Sequence, residues 1–113
     1  MIRATISYPH TPGARFDLDY YMSKHMPMVE AKLRPRGLAG WSVDQGLGGP
    51  LPGSSPEFTI QASILFESVE AFQAALLAEG PALMADIPNF TDIQPRVQVN
   101  KILAEQHAQS ATA

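Results

Sequence analysis

Ile2, Ala4, Ile6 and Tyr8 alternate with Arg3, Thr5 and Ser7, the period-two signature of a half-buried strand whose successive side chains point to opposite faces. Pro9 to Gly13 breaks the pattern and reads as a loop. From Asp17 the period lengthens. Leu18, Tyr21, Met22, His25, Met28, Val29 and Leu33 recur at three- and four-residue steps, which predicts a helix with one apolar face. Asp17 suits its N-cap or first turn, and Arg34 and Arg36 suit the negative end of its dipole. Pro35 and Gly37 stop it. Pro27 falls inside this helix, and without an N–H it frees the Ser23 carbonyl, so a kink or a widening is expected there.

A second strand is predicted over 38–47, with Trp41, Val43 and Gln45 on one face. Residues 48–56 are the richest in Gly and Pro and read as a mobile hairpin loop. The clearest strand follows at 57–66, where Phe58, Ile60, Ala62, Ile64 and Phe66 alternate with Thr59, Gln61, Ser63 and Leu65. Ser68 caps a second helix with Val69, Phe72, Ala75 and Leu76 inward, ended by Gly80 and Pro81. Pro81 can open one more short turn over 82–86, and 87–92 reads as irregular or edge strand. A last strand over 96–103 completes a domain of residues 1–104, and 105–113 reads as a disordered or frayed tail.

The order is strand, helix, strand, strand, helix, irregular segment, strand. It predicts an α+β, ferredoxin-like split βαβ fold: a four-stranded antiparallel sheet with two helices on one face. On the other face Thr59, Gln61 and Ser63 are too polar for a deep core, yet Leu65, and with it Trp41, is expected to accompany them. Such a mixed surface suits a partner sheet, hence a homodimer.

Composition narrows the function. Eight Lys+Arg against eleven Asp+Glu, with no run of like charge, argue against nucleic acid or an anionic membrane as partner. No apolar run is long enough for a membrane span. The sequence enters a strand pattern at once, without a segment of signal-peptide type, and holds no cysteine, so a cytoplasmic protein is expected. His10, His25 and His107 show no ligand spacing, and no Gly-rich loop precedes a helix. No metal and no cofactor are therefore expected.

His25 is the most informative residue. It lies mid-stripe on the first helix, four residues after Tyr21, so its imidazole should face the gap between helix and sheet. There it can exchange protons near neutral pH, with Tyr21 placed to hydrogen-bond it or a shared ligand. The plain alternative, the commoner case on spacing alone, is a core histidine with satisfied nitrogens. A distortion at Pro27 beside an inward histidine is what a small cavity would need, although a helix broken for packing reasons fits equally. Tyr8, Trp41, Phe58, Phe66, Phe72 and Phe90 could line an apolar pocket, but residues of these types more often form ordinary core.

Phe16, Tyr20, Tyr21, His25 and Pro27 together match an F-x-x-x-Y-[YW]-x-x-x-H-x-P block. In this block, and in the stretch 84–92, the chain resembles the EthD family, named after ethyl tert-butyl ether degradation. The resemblance implies a dimeric α+β barrel, two ferredoxin-like subunits with sheets face to face and helices outside. The wider superfamily includes cofactor-free monooxygenases (oxidoreductases), cyclases and isomerases, while the family itself implies a pathway association rather than a reaction.

Two functions are weighed. In the first, the protein binds a small apolar or aromatic molecule between helix and sheet. His25 is the acid or base, Tyr21 or Tyr20 orients the substrate oxygen, and Asn89 or Gln61 donates a hydrogen bond, with Trp41 and Phe90 as further contacts. In the second it is a non-catalytic binding or accessory protein, and His25 and Tyr21 form a structural pair. Haem ligation by His25 is a third, weaker reading.

Overall fold

A computed structural model describes residues 1–107, so most of the tail expected at 105–113 lies outside the described residues. Strands β1 (Ile2–Pro9), β2 (Gly40–Gln45), β3 (Phe58–Phe66) and β4 (Arg96–Lys101) form one sheet in the order β2-β3-β1-β4. Every neighbouring pair is antiparallel. The helical layer comprises α1 (Leu18–Tyr20), a π-helical turn (Tyr21–His25), α2 (Met26–Leu33) and α3 (Val69–Asp86). The expected α+β fold, a four-stranded antiparallel sheet with two helical units, is what the chain adopts.

The apolar sides of β1 and β3 meet the helices. Ile2, Ala4, Tyr8, Ile60, Ile64 and Phe66 pack against Met26, Val29, Leu33, Phe72, Ala75 and Leu83 in one core. Residues directly opposite in an antiparallel pair share a face, so Trp41, paired with Ile64, stands on the helix side rather than with Leu65 on the polar face. Its indole N–H donates to Glu30 Oε1 at 3.0 Å.

The first helix starts where its cap demands, with the Asp17 carboxylate accepting from the Tyr20 N–H. It ends in a 3-10 turn (Arg34–Arg36) and Gly37, which takes the left-handed conformation (φ 104°) that glycine adopts without steric cost. Between these points the helix widens. The Met26 N–H donates back to the Tyr21 carbonyl, five residues away, and Pro27, which could not have bonded the Ser23 carbonyl, follows directly. The extra residue in this turn rotates the apolar stripe. Met26 is buried and Met22 is 41% exposed, whereas a straight helix would have turned Met22 inward; Met28 still packs against the core.

The second helix departs from expectation at its end. Ser68 caps it through the Ala71 N–H, as its position suggests. Yet α3 runs through Gly80 and Pro81 to Asp86 as one element. A proline inside a helix leaves the carbonyl four residues before it without a donor. Here that carbonyl belongs to Leu77, whose residue is 85% exposed, so water can serve it and the helix need not stop.

The segment after α3 is a 3-10 turn (Ile87–Asn89) clamped to the loop before α1. The Arg15 guanidinium donates to the carbonyls of Pro88 (2.6 Å) and Asn89 (3.3 Å). The Asp17 N–H donates to the Phe90 carbonyl at 2.7 Å, and the Thr91 hydroxyl donates to the Arg15 carbonyl at 2.6 Å. Among the described residues, no helix is long and apolar enough to cross a membrane.

Candidate functional site

The widened turn and the clamped segment converge on His25. Its Nδ1 lies 2.9 Å from Asp86 Oδ2. The other carboxylate oxygen, Asp86 Oδ1, accepts from the Tyr20 hydroxyl at 2.7 Å and from Asn89 Nδ2 at 2.9 Å. An ionised carboxylate only accepts, so the Nδ1 of His25 carries the proton of this bond and Nε2 is left with its lone pair in the neutral ring. Partial burial pushes the Asp86 carboxyl up, but the hydrogen bonds from Tyr20, Asn89 and His25 outweigh it and hold the group below the usual carboxylate range. The same contact raises the Tyr20 hydroxyl, whose proton is held by the carboxylate.

Aromatic rings fix the imidazole plane. Tyr21 stacks on it (centroids 5.4 Å apart, planes at 18°), and Phe90 leans on it at 4.6 Å. Tyr21 therefore meets His25 ring to ring and not through a direct hydrogen bond, one of the two roles expected of it. Phe90 is fully buried and also contacts Tyr8, Phe16 and Tyr21 edge-on, at 5.9, 5.4 and 5.0 Å.

Beside this group lies a cavity of about 320 Å³ between the helices and the sheet. Its walls include Ile6, Tyr8, Tyr21, His25, Val29 and Phe72. It reaches Met84 of α3 and Val97 of β4, both exposed, so its mouth opens between that helix and that edge strand. His25 is only 6% exposed. Among the described residues its Nε2 has no hydrogen-bond partner, yet no buried polar side-chain atom is left without one. Nε2 is therefore accessible, and His25 is one of the residues that line the cavity. Burial, with the neighbouring Tyr8 phenol, raises the Tyr21 hydroxyl, and burial raises that of Tyr8, so both remain protonated.

The structure brings His25, Tyr21, Tyr20, Asn89 and Phe90 together. Trp41 and Gln61 stand elsewhere. Trp41 is spent on Glu30, and Gln61 is on the opposite face of the sheet, where it donates to the Ser7 hydroxyl at 3.1 Å. Asp86 is the residue that sequence reasoning missed. Its only signals were an aspartate three residues before Asn89 and the possibility of a helix running past Pro81.

Comparison with known proteins agrees with this architecture. The EthD domain model matches residues 14–94. An uncharacterised 11.0 kDa protein encoded in the thcB–thcC intergenic region of Rhodococcus erythropolis is 37% identical over 92 residues, 80% of this chain and 84% of that one. The crystal structure of an EthD-like protein from Ralstonia eutropha superposes with a TM-score of 0.87 at 39% identity, covering 93% of this chain and 94% of that one. An ethyl tert-butyl ether degradation family protein from Bacillus halodurans shares the fold (TM-score 0.70, 18% identity, 91% and 99% covered). With the matched region spanning both helical units and the His25 block, the chain belongs to the EthD family.

Proposed function

We propose that the protein holds a small apolar or aromatic molecule in the cavity between helices and sheet and moves a proton on it through His25 Nε2. What carries this reading is a cavity of about 320 Å³ beside a histidine whose other nitrogen is tied to a carboxylate. Asp86 fixes the tautomer and would stabilise the imidazolium formed when Nε2 takes a proton, and Tyr20 and Asn89 fix Asp86. Tyr21 holds the ring plane and offers its hydroxyl to the ligand oxygen. Proton abstraction of this kind serves an enolisation, isomerisation or cyclisation, or the first step of a cofactor-free oxygenation. Positioned proton transfer contributes about 10²–10⁴-fold.

The test uses an enolisable benzylic ketone, phenylacetone, in D₂O. Deuterium uptake at its activated carbon should be accelerated by the protein, and His25→Gln should remove the acceleration. Equal uptake with and without protein, alongside retained ligand binding, would leave a non-catalytic binding protein.

The same proposal includes a homodimer. Thr5, Thr59, Gln61, Ser63 and Leu65, with the buried Ser7 among them, lie on the sheet face turned away from the helices, a half-covered mixture suited to a second sheet. Family membership supports the barrel arrangement. Sedimentation equilibrium should return twice the chain mass, and Ser63→Arg should return a single mass by placing a charge at the centre of that face.

A further inference from the structure

We infer that the cavity selects a neutral phenol over the corresponding ether and carboxylate, because the nitrogen that His25 presents to it is a hydrogen-bond acceptor. This inference rests on the cavity-binding reading above and specifies its ligand.

The polarity of the site follows from a chain of donors and acceptors. The Tyr20 hydroxyl and Asn89 Nδ2 both donate to Asp86 Oδ1, which leaves the other carboxylate oxygen for His25. Asp86 Oδ2 then accepts from His25 Nδ1, which puts the ring proton there and leaves Nε2 as an acceptor. A ligand hydroxyl can donate to Nε2, and its oxygen can accept from a phenol of Tyr8 or Tyr21, both of which line the cavity and stay protonated. An ether has no proton to give, so it would leave Nε2 unpaired. A carboxylate would enter a cavity lined by no lysine or arginine, beside a dyad already holding one negative carboxylate. A charge buried without a partner is strongly disfavoured. The remaining lining near His25, with Val29, Phe72 and Leu83, suits an aromatic body.

The test compares p-cresol, p-methylanisole, p-toluate and toluene by calorimetric or NMR titration of the full chain. The expected result is p-cresol binding about tenfold more tightly than p-methylanisole, the worth of one hydrogen bond, with p-toluate weakest. Asp86→Asn is the decisive variant. Tyr20 and Asn89 would keep the carboxamide oxygen at the Oδ1 position and turn its NH₂ toward His25 Nδ1. The ring proton would move to Nε2, from which a phenol and an ether oxygen can both accept, and the preference for p-cresol should be lost. A variant merely loosened would weaken both ligands together.

Imidazole ¹⁵N shifts of the wild-type protein report the tautomer independently of whether that variant folds, and a proton on Nε2 would overturn the inference. Toluene, p-methylanisole and p-cresol binding equally would also overturn it while leaving the cavity-binding reading intact, as would p-toluate binding most tightly. No binding by any of the four would remove that reading as well.

Discussion

Asp86 reaches Nδ1 of His25 at 2.9 Å across 61 residues of chain, from the last position of α3 to the last of the π-helical turn. One irregularity makes this contact. The apolar stripe already turns His25 inward, and the uninterrupted passage of α3 through Pro81 extends that helix far enough to deliver a carboxylate.

Phe90 binds the aromatic cluster together, so its removal should be costly. Phe90→Ala is expected to lower stability by about 3–5 kcal/mol, the usual toll for a buried phenylalanine. It should also free the His25 ring. Urea denaturation measures the first effect, and broadening of the His25 imidazole signals measures the second. A loss below about 1 kcal/mol would mean that the surrounding rings close the gap, which their edge-on packing opposes.

Gly80 is a glycine inside a helix without a conformational need for one. Alanine there should contribute up to about 1 kcal/mol through helix propensity. A Cβ would come 3.3 Å from Leu76 Cδ1, and Leu76 is exposed enough to give way. Gly80→Ala should therefore raise the melting temperature slightly and, because Gly80 lines the cavity, reduce ligand affinity. A lowered melting temperature would show that Leu76 is locked.

Acid should loosen the structure through two carboxylates. Hydrogen bonds from Arg34, then from Trp41, hold Glu30 at about 2, against an ordinary 4.5. Asp86 is also held below its ordinary 3.8, its donors overcoming the opposing effect of burial. A carboxylate depressed by folding contributes stability that is fully present above its unfolded pKa and is lost as pH falls through its folded one. Stability should thus be flat above about pH 5 as far as these groups decide it, then decline toward pH 2. Glu30→Gln should make that decline shallower. An unchanged acid limb in this variant would show that Arg34 and Trp41 give the Glu30 carboxylate nothing in solution.

Filling the cavity separates ligand binding from folding. Val29→Phe places a ring in the space beside His25 and should abolish titration by p-cresol while leaving the far-ultraviolet spectrum and the His25–Asp86 contact intact. Undiminished affinity would locate the ligand elsewhere.

The sequence by itself determined the strands, both helix starts and the inward histidine. Alternation in β1 and β3, the carboxylate cap at Asp17 and the hydroxyl cap at Ser68 are local facts, decided within a few residues. Widening at Pro27 was legible for the same reason, since a missing N–H acts on its own turn. The partner of His25 was not. Whether a helix survives a proline depends on whether the orphaned carbonyl, here that of Leu77, meets water or protein. Which face a widened helix buries depends on the sheet beneath it. Those are properties of the packed chain, and they alone decided that Met26 replaces Met22 in the core, that Trp41 turns to Glu30, and that Asp86 meets Nδ1 of His25.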